Sequence, residues 1–190
     1  EELLTGEDGQ VVSMALSPDR GSLAAGSEDG TVRLWNLTSG TGPAELLTGE
    51  GVPVDAMAFS PDGRSLAVAW RGGPVRLLDK ATGQARRVPL TGQAGEVVSL
   101  AFSPDGQTVA LGGSDGTVRL WDVTSGEPRA KFHMGRDDLV LSLAFSPDSR
   151  TLAAGRGERT DFRSSAARSG SGVVRLWDVA SGQQLEELLM

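Results

Sequence analysis

A chain of 190 residues, 38% apolar and 23% charged, has room for one sizeable globular domain and is short for two. Its formal net charge of −7 argues against a nucleic-acid binder, which would present a basic face, and no stretch nears the roughly 20 apolar residues that span a bilayer. Cysteine is absent, which excludes a disulfide framework, a thiolate nucleophile and a Cys-based zinc site.

The 26 glycines and nine prolines imply many tight turns and favour an all-β chain. Glu1-Glu2-Leu3-Leu4 lacks the basic segment and apolar core of a signal peptide, so a cytoplasmic location is expected. The start at Glu1 leads us to expect a processed product or a portion of a longer polypeptide. Lys80 and Lys131 are the only lysines, and with abundant Ala and Gly this bias points to bacterial coding.

Read in chain order, the sequence repeats itself. Ser-Pro-Asp occurs at Ser17, Ser60, Ser103 and Ser146, always 43 residues apart. A second marker follows it each time: Val32-Arg33-Leu34-Trp35-Asn36, Val75-Arg76-Leu77-Leu78-Asp79, Val118-Arg119-Leu120-Trp121-Asp122 and Val174-Arg175-Leu176-Trp177-Asp178. This marker keeps the same step until the fourth copy, which carries 13 extra residues. The chain therefore reads as one array over 1–190: residues 1–5 as an outer strand, then repeats over 6–48, 49–91, 92–134 and 135–190, the last with the insertion.

The third repeat shows the predicted elements most clearly. Val97 to Phe102 alternates large and small residues as a strand does. Ser103-Pro104-Asp105-Gly106 is a turn, with Pro setting φ and Gly free to take positive φ. Gln107 to Leu111 is a second strand, Gly112-Gly113-Ser114-Asp115-Gly116 a tight turn, and Thr117 to Asp122 a third strand closed at Thr124-Ser125-Gly126. A weaker strand over Pro128 to Phe132 follows, and its leading proline suits only a sheet edge. Such a four-stranded unit has two apolar faces and must stack on others around an axis.

These in-phase markers resemble the WD40 family, whose repeats end in Trp-Asp. The resemblance covers essentially the whole chain. It implies a β-propeller of four four-stranded antiparallel blades, acting as a non-catalytic protein-interaction scaffold or sensor without cofactor or metal. It also implies a polar network of a Gly-His histidine, a strand hydroxyl, a turn Asp and the Trp. Asp29 with Trp35, and Asp115 with Trp121, keep two members; Trp177 keeps one. The histidine position holds Glu7, Glu50, Gln93 and Arg136, and the hydroxyl position holds Ala25 and Leu111. The second repeat has Gly72 and Leu78 for Asp and Trp, and Ser171 replaces the fourth Asp. Packing is expected to carry stability that the network would otherwise supply.

Both ends supply outer-strand segments: Glu1-Leu3-Leu4-Thr5 matches Glu45-Leu46-Leu47-Thr48, and Leu185 to Leu189 completes the fourth repeat. Two segments would claim one place in a closed ring, so an open arc of a larger propeller is expected. The missing blades would come from the same polypeptide or from a second copy, four blades with four.

The insertion, Arg156 to Arg168, falls in the turn after the second strand of repeat four. The family geometry puts this turn on the partner-facing rim. Arg and aromatic residues are enriched at binding hot spots, so Arg156, Arg159, Phe162, Arg163 and Arg168 are the expected partner-binding residues, although loop tips also accept insertions without function. Trp70, where other repeats have Ser27 and Gly113, is followed by Arg71; it would anchor a partner or pack on a neighbouring blade. Arg33, Arg76, Arg119 and Arg175 recur beside the Trp position and are expected to be structural, stacking on Trp or pairing with the following Asp. His133 is the only histidine and has no partner for metal binding. Glu28-Asp29-Gly30 and Asp115-Gly116 lack the carboxylate spacing of a calcium loop. No nucleophile or phosphate-loop motif is present, which leaves a hydrolase using channel carboxylates as the enzymatic alternative.

Overall fold

Each repeat becomes an antiparallel sheet because six-residue alternating runs are separated by residues that turn the chain. The computed structural model describes residues 10–39, 44–47, 51–85, 96–135, 138–158 and 172–189. The first sheet is β1 (Val11–Leu16), β2 (Ser22–Ser27), β3 (Val32–Asn36) and β4 (Ala44–Leu47), in that order. The second holds β5 (Val54–Phe59), β6 (Ser65–Trp70) and β7 (Val75–Asp79). The third is β8 (Val97–Phe102), β9 (Thr108–Gly113), β10 (Thr117–Asp122) and β11 (Pro128–His133). The fourth is β12 (Asp138–Phe145), β13 (Thr151–Glu158), β14 (Val173–Asp178) and β15 (Gln184–Leu189).

Three sheets thus have four strands. The second has three among the described residues, with a bridge from Leu78 to Ala85 at the register where β11 and β15 begin in their sheets. Residues 1–5, read as an outer strand, lie outside the described residues. Pro128 opens the edge strand β11, where its missing N–H costs no ladder bond. The chain divides into two compact units, Glu1–Gly92 with the first two sheets and Gln93–Met190 with the last two.

The Ser-Pro-Asp turns are built alike. Each serine hydroxyl accepts the N–H five residues on, at 2.9 Å in all four copies, and donates to the Asp carboxylate. That carboxylate in turn accepts the N–H two residues beyond it. The residue after Asp takes positive φ: Gly63 and Gly106 do so freely, whereas Arg20 (φ 58°) and Ser149 (φ 62°) carry a Cβ there. Arg20→Gly is expected to raise the stability of the first unit by up to about 1 kcal/mol, read as a higher thermal midpoint. No change or a loss would show that the turn does not strain Arg20.

Within each unit the two sheets pack face to face. In the first, Ala24, Val32 and Leu34 meet Val54, Met57, Phe59, Leu66 and Val68. In the second, Ala110, Val118, Leu120, Phe132 and Met134 meet Val140, Leu152, Ala154 and Trp177. Each fully buried Val or Leu contributes roughly 1.5–3 kcal/mol. A glycine permits the closest approach in each case. A Cβ on Gly26 would lie 2.6 Å from Val54 Cγ1, and one on Gly112 would lie 2.2 Å from Ser99 Oγ and 2.7 Å from Val140 Cγ1. Ser99 Oγ donates to the Val140 carbonyl at 2.6 Å, tying the two sheets together. Gly112 and Gly113, expected in a turn, belong to β9: the bareness of Gly112 serves sheet stacking, and that of Gly113 leaves room for the Asp115 carboxylate, 2.4 Å from where its Cβ would be.

Candidate functional site

The rim of the fourth sheet departs most from the other three. The hairpin β12–β13 runs two residues further on each strand, through the pairs Leu139 with Gly157 and Asp138 with Glu158. The expected turn from Arg156 is therefore corrected: Arg156, Gly157 and Glu158 are strand, because Val140, Leu139 and Asp138 pair with them. Arg156 is half-buried at the end of the regular register, between Val140 on one side and Val173 on the other. Arg159, Phe162, Arg163 and Arg168 lie outside the described residues.

A residue that the sequence does not single out stands beside this hairpin. Leu141 occupies the bulge between Val140 and Ser142 and is 55% exposed. A Cβ on Gly157 would lie 2.3 Å from Leu141 Cδ1, so the bare glycine gives the leucine its place on the rim. The same bulge recurs at the start of every sheet, between Val11 and Ser13, Val54 and Ala56, and Val97 and Ser99. Aligning the repeats on these bulges is the signal that finds Leu141, because it marks an apolar residue where an outward position is due.

Trp70 and Arg156 occupy the same repeat position. Trp70 is 6% exposed, and its indole N–H donates to the Gly30 carbonyl of the first sheet at 3.0 Å. Of its two expected placements it takes the one against the neighbouring sheet, since burial leaves little ring surface for a partner. The Arg76 guanidinium lies 5.6 Å from its ring centroid. Arg71 is the outward member of the pair, with 53% of its side chain exposed and Nη2 at 2.8 Å from Asp55.

The expected structural residues behave in two ways. Asp29 and Asp115 accept the N–H two residues on, from Thr31 at 2.9 Å and Thr117 at 3.1 Å. They serve their own turns. The indole nitrogens of Trp35 and Trp121 are buried without a hydrogen-bond partner among the described residues, and the hydroxyl position is filled by buried Ala25 and Leu111. An unmet buried donor costs about 1–3 kcal/mol, so these rings stay by packing alone. Trp177 stacks on Phe132 with centroids 5.2 Å apart. Two of the recurring arginines meet acceptors other than the following Asp: Arg119 lies 3.8 Å from Asp115, four residues before it, and Arg175 bonds Glu187 and the His133 carbonyl. Cross-strand register sets Glu187 directly opposite Arg175, on the same face of the sheet.

Every displaced acidity among the described residues runs the same way. The Ser17, Ser60 and Ser146 hydroxyls, followed by backbone N–H groups, hold Asp19, Asp62 and Asp148 below the ordinary 3.8. The N–H groups of Ser125 and Ser181 do the same for Asp122 and Asp178. For Asp115, burial pushes upward, but bonds from Thr117 and the Arg119 charge outweigh it. None is raised as a general acid requires. Lowered carboxylates bind protons less readily when folded, so their stabilisation is complete above the unfolded value and is lost as pH falls through the folded ones. The thermal midpoint is expected to hold from about pH 7 to 5 and to fall below about pH 4; a flat profile to pH 2 would contradict it.

Among the described residues, no group of three His, Asp or Glu side chains could hold a metal ion. No helix among them is long and apolar enough to cross a membrane. The family model described as "WD domain, G-beta repeat" matches residues 2–36, 84–122 and 126–178. It passes over most of the second repeat, the copy without Trp and turn Asp. A search of the curated proteins found none that matches. Among solved structures, the chain is similar to Kuenenia stuttgartiensis hydrazine synthase, at 20% identity and a TM-score of 0.81. The match covers 98% of this chain and 51% of that one, so the chain spans about half the length of the structure it matches. That likeness shows the fold alone. With its repeated sheets, Ser-Pro-Asp turns and Trp-ended strands matched by the family model over more than half its length, the chain is a β-propeller of the WD40 family.

Proposed function

We propose that the chain is a non-catalytic, cytoplasmic protein-interaction scaffold or sensor, a portion of a larger propeller that takes a protein partner on the rim of its fourth sheet. The extended β12–β13 hairpin carries this reading. It lifts exposed Leu141 beside Arg156 and leads directly into Arg159, Phe162, Arg163 and Arg168. An apolar residue among arginines is the composition of an interface centre, and the positive insertion on a chain of net charge −7 favours an acidic partner. Arg71, exposed beside Trp70, is a second rim candidate on the first unit. The lowered aspartates, all committed to turns, speak against a carboxylate hydrolase.

The test places a photo-crosslinking amino acid at Phe162 or at Leu141 in cells, with Arg129, beside Ser149 and Arg150 at the opposite, turn end of that hairpin, as the control position. Discrete protein adducts at Phe162 and Leu141, weakened by salt and absent at Arg129, are expected. Equal labelling at all three positions, or none at the rim, would sink the reading.

A further inference from the structure

Where the third and fourth sheets meet, at the turn end of the β12–β13 hairpin, the second unit opens a cleft of about 440 Å³. That is the size of a small-molecule site. Its lining is apolar at Ala130, in β11, and at Val179 and Ala180, in the turn after β14. Each sheet adds one arginine, Arg129 from the third and Arg150 from the fourth, with Ser149 next to Arg150. The corresponding place in the first unit is crossed by an ion pair. There Lys80, at the repeat position of Val179, reaches Asp19 of the neighbouring sheet at 3.6 Å. Val179 packs against the core and cannot carry a charge to Asp105, the counterpart of Asp19. Ser149 makes the link instead, its Oγ accepting the Asp105 N–H at 3.1 Å. It does so at φ 62°, where Gly63 and Gly106 serve the other turns without cost. A hydroxyl that accepts still has its own proton to donate.

The two arginines differ in how far they are committed. Hydrogen bonds to Asp122 and Thr108 fix Arg129, which keeps further N–H groups. The exposed Arg150 guanidinium bonds no described residue. Asp148 and Asp178 act on it only through space, each carboxylate being bonded within its own turn. An open guanidinium fork and a hydroxyl proton beside apolar side chains suit a carboxylate with an apolar body. With Asp122, Asp148 and Asp178 all close by, a single negative charge is tolerated better than the double charge of a phosphate. We propose that this cleft binds a small organic monocarboxylate, its carboxylate on Arg150 and Ser149 and its apolar body against Ala130 and Val179. The site lies at the other end of the β12–β13 hairpin from the rim and does not rest on the scaffold reading. It gives the propeller a small-molecule ligand beside its protein partner.

Titration of the isotope-labelled full chain with hexanoate, followed by NMR, tests this. The amides of Ala130, Ser149, Arg150 and the turn after β14 should shift and saturate, with a Kd of about 1 mM. Hexanamide, the same body without the charge, should bind at least about tenfold more weakly, and so should inorganic phosphate. Arg150→Gln should weaken hexanoate by about tenfold and melt as the parent does, since the side chain it changes is exposed. Ser149→Gly relieves the positive φ and removes the hydroxyl, so it should bind less tightly without melting earlier. No saturable shift up to about 20 mM hexanoate, equal binding of hexanamide or phosphate, or indifference to Arg150→Gln would overturn the proposal. Crosslinking of a protein through Phe162 would then still stand, because the rim and the cleft are read by different measurements.

Discussion

Placing one methyl group at Gly112 is expected to destabilise the second unit by about 3 kcal/mol, the upper end of what overpacking costs. The new carbon would fall 2.2 Å from Ser99 Oγ and 2.7 Å from Val140 Cγ1. Ser99 cannot swing away without giving up its bond to the Val140 carbonyl, and β-branched Val140 has little rotamer freedom. The sheets themselves must therefore move apart. Gly26→Ala should do the same in the first unit, where Val54 Cγ1 lies at 2.6 Å and the valine Cβ at 2.8 Å. Gly155→Ala is the internal control: at this equivalent position a Cβ would meet only Ser142 of its own sheet among the described residues, at 3.8 Å, and the change should move stability by no more than about 0.5 kcal/mol. Urea unfolding followed by tryptophan fluorescence reads all three. A Gly112→Ala variant as stable as its parent would show that the stacking glycine does not set the approach of the sheets.

Trp177→Ala should cost about 3–5 kcal/mol, because it removes a buried ring stacked at 5.2 Å on Phe132 and leaves a cavity between the third and fourth sheets. The nitrogen of the indole matters differently from site to site. Trp121→Phe loses ring volume but no hydrogen bond, since Nε1 of Trp121 has none to lose among the described residues. Trp70→Phe also strips the Gly30 carbonyl of its donor and should cost about 1 kcal/mol more than Trp121→Phe. If the order were reversed, the buried indole of Trp121 would have an acceptor after all, and packing alone would not be what replaces the family network.

Much of the fold is legible in the sequence because repetition turns weak local signals into a strong one. Val97–Phe102 and Thr117–Asp122 are the observed strands without adjustment, and β9 differs from expectation only by a residue or two at each end. The misplaced end is instructive. Gly112 and Gly113 look like turn residues by local propensity, but both lie in the strand, and Gly112 is bare because the stacked Val140 needs its place. That requirement comes from another sheet and leaves no mark at short range. The same reason hides Trp70, which reads as a rim aromatic until its indole is seen to reach Gly30, forty residues earlier in the chain. At the candidate site, the insertion is visible by counting, yet its first three residues pair with Asp138, Leu139 and Val140 and so extend a strand. Leu141 escapes a sequence reading because a bulge flips the alternation by which inward and outward residues are told apart.

The central claim is that one glycine–valine joint stacks the two sheets within each unit, Val54 on Gly26 and Val140 on Gly112. Hydrogen exchange on the Gly26→Ala and Gly112→Ala variants tests it most directly. If the claim holds, Gly26→Ala costs β2 and β5 protection and leaves β9 and β12 unchanged, while Gly112→Ala does the reverse. Protection unchanged in both variants, or lost equally from both units in either one, would contradict it.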